Sequence, residues 1–354
     1  MQFTSLKWMC VVLTSSLVGC SQITPLPEHQ VALSQTYPLQ TQGNYQVLSW
    51  DNYVNDQQLI NLVDLALVSN QDLKIASLRI HEAQAAYGIQ RAELFPNIGG
   101  NAGMERNHVP ADLSYVGREM TTSQYSVGLG MNQWELDLWG RIRSLNEAAL
   151  QQFFAVESNV QAVRNSLIQQ TVLSYLTLSE LDKRIYFAQR SVQNYEKSVR
   201  LFKRRYEVGA SSKVEYMQAK TMLSNGQALV TQLEKSRALT ANYLVQLVGQ
   251  PTSLHQTDLD QVTFKTGVLH TGLPSDLLLN RADIRASEAM LKSKHANINA
   301  ARAAFFPRIT LTGSLGTASA DLDGLFKSGS SVWSFAPSIS VPIFTAGRLK
   351  NNLI

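Results

Sequence analysis

Cysteine is nearly absent from this 354-residue sequence, which contains only Cys10 and Cys20. Two cysteines cannot form a disulfide framework or a metal site built from cysteine alone. The six histidines are scattered singly, and the HExxH, GxSxG and P-loop motifs of common enzyme classes do not occur. Charge is also scarce, at 16% of residues with a formal net charge of +4, and no basic block indicates nucleic-acid binding. We therefore expect no enzyme activity, no metal, no cofactor and no nucleic-acid partner.

The first twenty residues are typical of an export signal. Lys7 precedes an apolar run that is too short to span a bilayer as a mature helix. The segment Leu17–Cys20 (LVGC) resembles the bacterial lipobox, in which the chain is cleaved before the cysteine and the thiol is acylated. We therefore predict a signal peptide at 1–19, cleavage between Gly19 and Cys20, and lipidation of Cys20. A secretory leader with a chance cysteine is the alternative.

A very long helix is predicted from Arg141 to Val208, because this segment contains no glycine and no proline. At 1.5 Å per residue it would be about 100 Å long, several times a typical globular helix. Its apolar residues recur at steps of three and four: Ala149, Phe153, Val156, Val160, Val163 and Leu167, then Leu178, Leu181, Ile185, Ala188, Val192, Tyr195, Val199, Phe202 and Tyr206. This period predicts a left-handed coiled coil.

A second, antiparallel helix follows directly. Gly209 supplies the left-handed residue that ends the first helix, and Ser212 begins a capping box (SKVE) that starts the next. The second helix runs to about Val248, and Gly226 on its apolar seam allows a close approach to its neighbour. Because it is the shorter of the two, we expect the helix at about 72–94 to cover the remaining part of the long helix.

The sequence contains an internal repeat. Residues 72–96 match residues 283–307, and the dipeptide at 140–141 matches that at 347–348. Between these anchors both copies change from helical to alternating periodicity, so each repeat is helix, strand, loop, strand and long helix. The predicted domains are the signal peptide 1–19, an extended segment 20–56, a first repeat 57–250 with a strand pair at about 97–134 and a helical hairpin at 141–248, and an incomplete second repeat 251–354 with a strand pair at about 308–344.

The strand pairs alternate large apolar residues with small polar ones, as membrane β-strands between lipid and water do. A half-buried soluble hairpin shows the same pattern. The residues predicted to face lipid are Tyr125, Val127, Leu129, Ile309, Leu311, Trp333 and Phe335. Four strands cannot close a barrel with a lumen, so several chains must share one barrel, and a trimer would supply twelve strands.

The segment Trp134–Arg141 (WELDLWGR) resembles the ELDLWGR signature of TolC/OprM-type outer membrane efflux proteins. Residues 272–284 resemble the GLPSDLLxRRPDI motif of the lipoprotein (NodT-like) branch, and 306–313 with 333–348 resemble its second strand pair. The turn at 206–212 resembles the periplasmic tip motif of the family. Within the branch, the chain is similar to the AdeC/AdeK outer membrane components of multidrug pumps.

The resemblance implies a mainly α fold with membrane β-strands. Three chains would form a twelve-stranded β-barrel in the outer membrane that continues as an α-helical barrel through the periplasm. Such a homotrimer is a passive exit duct for drugs or other small molecules, lipid-anchored in the outer membrane. Its implied partners are a periplasmic membrane-fusion adaptor and an inner-membrane RND transporter. The adaptor is expected to dock at the tip formed by Val208, Gly209 and Ser212.

Two other function classes compete with this interpretation. A periplasmic adaptor or structural coiled-coil lipoprotein without a channel could also carry a long hairpin and a lipid anchor, but the duplicated helix and strand-pair unit disfavours it. A soluble enzyme would need Glu135 with Asp137, or His81 with Glu82, in a cleft. We expect the first pair to be structural, at a strand–helix boundary, and the second pair is adjacent on a helix without a shared face.

The second copy of the repeat ends at Ile354, a few residues into the helix that follows Arg141 in the first copy. Members of the resembled family continue through a second long hairpin. From the sequence alone we therefore expect the chain as written to be incomplete, with only half of the periplasmic wall, and not to work as a duct by itself.

Overall fold

The computed structural model describes residues 24–25, 50, 54–254 and 280–354. The predicted signal peptide, the cleavage site at Gly19 and Cys20, and the motif residues 272–279 lie outside these ranges. The helices are α1 (Gln57–Ser69), α2 (Gln71–Ala92), α3 (Arg141–Glu207), α4 (Lys213–Val248), α5 (Ala282–Ala303) and α6 (Arg348–Leu353), and the strands are β1 (Ile98–Val109), β2 (Met120–Glu135), β3 (Arg308–Ser319) and β4 (Ser331–Ser340). No helix in the described ranges is both long and apolar enough to cross a bilayer.

The described residues divide into two compact units, each assembled from separate segments. One contains 50, 54–80, 157–254 and 280–285, and the other contains 24–25, 81–156 and 286–354. Each unit therefore combines segments from both halves of the sequence. The division into repeats at 57–250 and 251–354 stays a prediction about sequence organisation.

In the unit that contains most of α3 and all of α4, the short helix α1 packs against the helical hairpin. Leu59, Val63 and Ala66 on α1 are fully buried, because their spacing of four and three places them on one helix face. They share a core with the hairpin residues Leu167, Tyr175, Leu178, Leu244, Leu247 and Val248. The sequence analysis did not predict this helix or its packing.

Polar side chains fix both ends of α1. The carboxylate of Asp56 accepts hydrogen bonds from two backbone N–H groups of the first turn, at 2.8 and 3.2 Å, and from the hydroxyl of Tyr175 at 2.7 Å. At the other end, the side-chain amide of Asn70 donates to the carbonyl oxygen of Leu247 at 2.8 Å. The cap that starts α1 thus also binds α3, and the residue that ends α1 binds α4.

The predicted seam between α3 and α4 is confirmed along its middle section. Leu181, Ile185 and Ala188 are buried together with Leu233 of α4 in one cluster. A Cβ atom added to Gly226 would lie 3.0 Å from the ring of Tyr195, so the glycine permits the close approach that the sequence indicated. The hairpin turn also forms as predicted, with Gly209 at φ 71° and a complete capping box at Ser212.

The first turns of α3 differ from the prediction by one position. Ala148 and Ala155 are buried, whereas the predicted Ala149, Phe153 and Val156 are only partly buried. The period is correct but its phase is shifted. Periodicity alone does not decide between two adjacent positions, because the neighbouring elements determine which one is covered.

The four strands form one antiparallel sheet in the order β1-β2-β3-β4. The β1–β2 and β3–β4 pairs are the predicted hairpins, and the pairing of β2 with β3 joins the two copies of the repeat. A bulge between Met131 and Trp134, with Gln133 at φ 47°, shifts the register of β2 on β3. Neither the β2–β3 pairing nor the bulge was predicted.

The two copies of the repeat have the same local structure where they flank the sheet. Before β1 the N–H of Phe95 donates to a carbonyl three residues earlier at 3.0 Å, and before β3 that of Phe306 does the same at 3.1 Å. Gly140 and Gly347 both have left-handed φ values, 79° and 83°, at the starts of α3 and α6. The helices that directly precede or follow a strand in the sequence, α2, α3, α5 and α6, therefore all join the sheet at the same end.

Candidate functional site

The sheet has an apolar face, and the strand register defines it. Directly opposed residues of an antiparallel pair lie on the same side. Leu129 opposes Leu315, which in turn opposes Trp333. The register and the alternation along each strand place all seven residues predicted to face lipid on this side: Tyr125, Val127, Leu129, Ile309, Leu311, Trp333 and Phe335. Trp333 and Phe335 are 73% and 60% exposed, and a large exposed apolar surface is typical of an interaction with lipid or protein.

The opposite, polar face carries small uncharged side chains along most of its length. These include Gly99, Asn101 and Gly103 on β1; Gln124, Ser126, Gly128 and Gly130 on β2; Thr310, Thr312, Ser314 and Gly316 on β3; and Ser334, Ala336 and Ser338 on β4. Ser314 and Ser334 hydrogen-bond to each other across β3 and β4 at 2.7 Å. One side of the sheet is therefore suited to an apolar environment and the other to water.

An ion-pair cluster lies where β2 leads into α3, and we call it the junction. Glu135 at the end of β2 accepts two hydrogen bonds from Arg141 at 2.8 and 2.7 Å and pairs with Arg308 at 2.7 Å. Only 9% of the Glu135 side chain is exposed. The hydrogen bond to Glu135 raises the pKa of Arg141 above its usual value, against the opposing effect of burial, so the guanidinium stays charged.

Two further residues of the ELDLWGR segment complete the junction. The carboxylate of Asp137 accepts hydrogen bonds from the backbone N–H groups of Ile142 and Arg143, the second and third residues of α3, at 3.1 and 2.8 Å, and so caps that helix. The indole of Trp139 donates to the carbonyl oxygen of Pro307 at 2.7 Å and stacks on Phe306. The segment thus binds the first copy of the repeat to the start of β3 in the second.

The arrangement at the junction is structural, as the sequence analysis expected for Glu135 and Asp137. Each carboxylate is hydrogen-bonded to a guanidinium or a helix N-terminus, and within the described ranges neither is hydrogen-bonded to a base or nucleophile. His81 and Glu82 lie exposed on α2. Among the described residues, no hydrogen bond or ion pair links His81 or Glu82 to Glu135 or Asp137.

The predicted tip residues lie in the turn between α3 and α4. Val208 is 75% exposed, Gly209 has a φ of 71°, and the hydroxyl of Ser212 accepts from the N–H of Glu215 at 3.2 Å. Exposed Val214, Met217 and Met222 follow on α4 and border a surface groove of about 680 Å³. The turn thus presents an apolar surface at the end of the hairpin.

Helix α5 binds the segment that follows the predicted lipidation site, and the sequence analysis missed this contact. His295, Asn299 and Arg302 lie on one stripe of α5 and all hydrogen-bond to Thr24. The carbonyl oxygen of Thr24 lies 2.7 Å from Nε2 of His295 and 3.2 Å from the side-chain nitrogen of Asn299. The hydroxyl of Thr24 donates a hydrogen bond to the side-chain oxygen of Asn299 at 2.9 Å and accepts one from Arg302 at 2.6 Å. The sequence signal for this contact was the spacing of His295, Asn299 and Arg302, by four and then three residues, which places three polar side chains on one face of a helix.

The family model described as Outer membrane efflux protein matches residues 62–250 and 273–354. This chain belongs to the outer membrane efflux protein family. Its relatives include the toluene efflux pump outer membrane protein TtgI of Pseudomonas putida, which is 39% identical over 364 residues, covering all of this chain and 76% of TtgI. The outer membrane protein OprJ of Pseudomonas aeruginosa is 38% identical over 86% of this chain and 64% of OprJ.

Solved structures of outer membrane channels have the same fold as this efflux protein. The open MtrE channel of Neisseria gonorrhoeae superimposes with a TM-score of 0.80 at 36% identity, over 94% of this chain and 75% of that one. A membrane protein from Pseudomonas aeruginosa gives a TM-score of 0.84 at 35% identity, over 94% and 76% of the two chains. The expected fold class, helical barrel with β-barrel, is thereby confirmed.

Membership of the family establishes the general role. The protein is the outer membrane channel component of an efflux pump, and it is located in the outer membrane and extends into the periplasm. Channels of this kind form trimers and work with an adaptor and an inner-membrane RND pump, and their role is transport. This finding favours the channel interpretation over the periplasmic adaptor.

Proposed function

We propose that three copies of this protein share one twelve-stranded barrel, which forms the outer membrane part of the passive exit duct of a tripartite pump. The observation that carries the proposal is the four-stranded sheet with one apolar and one polar face. Its outer strands, β1 and β4, each pair on one side only within the described residues. Three such sheets joined edge to edge would leave no free edge, with the apolar faces toward lipid and the polar faces around a water-filled lumen.

The partners proposed for this chain are a periplasmic membrane-fusion adaptor and an inner-membrane RND transporter. The exposed apolar surface of the tip, at Val208, Gly209 and Ser212, supports docking of the adaptor there. In this proposal the inner-membrane transporter supplies the energy for export, and the duct is passive. Acylation of Cys20 would hold the N-terminus in the outer membrane without a spanning helix.

The proposed cargo is a range of small organic molecules. Relatives are named as a toluene efflux pump outer membrane protein and an antibiotic efflux pump outer membrane protein. The small uncharged side chains of the polar face support passage without specific binding, since they present neither a pocket nor a dense array of charges. We expect most of the selection among substrates to be made upstream of the duct.

Cysteine cross-linking between the outer strands tests the shared barrel. Ala102 of β1 is replaced by cysteine and combined, one at a time, with cysteine at successive positions of β4, in the full-length protein. We expect at least one pair to give disulfide-linked trimers in the outer membrane fraction. The matched control combines the Ala102 cysteine with one at Thr312 of the inner strand β3, which should not link chains. Chains that stay monomeric in every β1–β4 combination would contradict the proposal.

A further inference from the structure

The polar face of the sheet carries one carboxylate, that of Glu105, that forms no ion pair within the described residues. We propose that Glu105, in three copies, forms a ring of negative charge inside the barrel, so that the duct favours cationic solutes over anionic ones. The inference rests on the proposed trimeric duct, in which the polar face lines the lumen. Rings of acidic side chains favour cations in other channels.

The register places Glu105 firmly on the polar face. It lies on β1 directly opposite Gln124 of β2, and Asn107, two residues further along β1, is on the same side. The side-chain amide of Asn107 donates to a carboxylate oxygen of Glu105 at 2.9 Å. The other neighbours on this face, Gly103 and Ser126, are too small to cover the carboxylate, and Glu105 is exposed.

No cation compensates this charge on its own face. In the part of the chain that the structure describes, Glu105 forms no ion pair. The other charged residues on the polar face of the strands are Glu135 and Arg308, roughly 35 Å further along β2 and β3 at a strand rise of 3.4 Å, and they form an ion pair with each other at 2.7 Å. Arg106 is adjacent in sequence but lies on the apolar face, opposite Ser123.

The reach of the ring depends on ionic strength. The Debye length is about 30 Å in 0.01 M salt and about 3 Å in 1 M salt. In dilute salt the potential of three carboxylates on the wall therefore extends across the lumen and concentrates cations there. In concentrated salt it is confined to the wall, and the ring no longer affects ions near the axis.

Reversal potentials in planar lipid bilayers test the inference with the full-length protein. The K⁺/Cl⁻ permeability ratio is measured in KCl gradients at low and at molar concentration for the wild type, Glu105→Gln, Glu105→Lys and the control Arg106→Gln. At low salt we expect a preference for K⁺ that falls by about twofold or more in Glu105→Gln and further in Glu105→Lys, because the local charge is removed and then reversed. Arg106→Gln should keep the wild-type ratio, and the differences should vanish at molar salt.

The possible outcomes separate this inference from the proposed function. Conducting channels whose K⁺ preference is unchanged in Glu105→Gln would overturn the role of Glu105 and leave the duct standing. A wild-type protein that forms no channels would contradict the duct itself. If Glu105→Gln fails to assemble, Glu105→Cys is modified in the assembled channel with negatively or positively charged thiol reagents. The negative reagent should raise the K⁺/Cl⁻ ratio and the positive one lower it, and equal ratios would overturn the inference.

Discussion

Gly128 of β2 and Gly316 of β3 are directly paired and lie so close together that a side chain does not fit between them. A Cβ atom added to Gly128 would lie 2.7 Å from the carbonyl oxygen of Leu315 and 3.0 Å from Cα of Gly316. These are backbone atoms, which cannot rotate away as a side chain could. The close approach occurs at the strand pair that joins the two copies of the repeat, on the face proposed to line the lumen.

Gly128→Ala should therefore destabilise the sheet. We expect a loss of roughly 1–3 kcal/mol in the free energy of unfolding, because the backbones of β2 and β3 must separate to admit the methyl group. The measurement is the temperature at which the assembled protein dissociates on semi-native gels. Gly103→Ala is the matched control, since it is on the same face of β1 and an added Cβ there meets no atom within 4 Å. Equal effects of the two substitutions would show that the close approach does not matter.

Substitutions of the two ion-pair partners Glu135 and Arg308 at the junction should reduce stability by different amounts. Glu135→Gln leaves Arg141 and Arg308 beside each other without the carboxylate that pairs with both, in a position where only 9% of the Glu135 side chain is exposed. We expect a loss of about 2–3 kcal/mol in stability. Arg308→Gln should cost about 1 kcal/mol or less, because 53% of the Arg308 side chain is exposed and Glu135 keeps Arg141. Urea unfolding in detergent measures both, and similar losses would contradict the assignment of Glu135 as the centre of the cluster.

Local sequence signals predicted the individual elements well. Three local signals predicted α3 and α4: the absence of glycine and proline after Arg141, the turn at Gly209 and the capping box at Ser212. The structure has both helices at the predicted positions. The alternation in the strands likewise identified one shared apolar face. In each case the determining interactions are between residues close in sequence.

Contacts between residues far apart in the sequence could not be predicted from the sequence alone. Asp56 and Tyr175 are 119 positions apart, and nothing local marks Tyr175 as the partner of a helix cap. The β2–β3 pairing depends on which strand edge is free, and the bulge at Gln133 places a non-glycine residue at positive φ. These features follow from tertiary packing, which selects among locally acceptable conformations.

The tip offers a test of adaptor docking through a single backbone position. Gly209→Val places a β-branched residue at a φ of 71°, which should cost about 1–2 kcal/mol locally and distort the turn. We expect cross-linking of the full-length protein to its adaptor to fall while its abundance in the outer membrane is unchanged. Gly209→Asn is the control, because asparagine tolerates the left-handed region. Unchanged adaptor cross-linking in Gly209→Val would argue that the tip is not the docking site.

Lipidation of Cys20 predicts a specific processing defect. Cys20→Ser should abolish labelling with radioactive palmitate and leave the precursor uncleaved, since the lipobox requires the thiol. Cys10→Ser, inside the predicted signal peptide, should leave both unaffected. Mass spectrometry of the mature N-terminus distinguishes the two results. A Cys20→Ser protein that is cleaved normally would refute the lipoprotein interpretation.

The hydrogen bonds between α5 and Thr24 predict that the N-terminus is held close to a defined position. Cys20 is four residues before Thr24, so its acyl chains would enter the membrane within about 14 Å of the stripe formed by His295, Asn299 and Arg302. Arg302→Ala together with Thr24→Val removes the 2.6 Å hydrogen bond from Arg302 to the Thr24 hydroxyl. It also removes the hydrogen bond that this hydroxyl donates to Asn299. We expect faster proteolysis near residue 24 in intact outer membranes, with acylation of Cys20 unchanged, because the anchor is made before the chain docks. Proteolysis at the wild-type rate would show that the segment is held by other contacts, and loss of acylation would show that docking precedes processing.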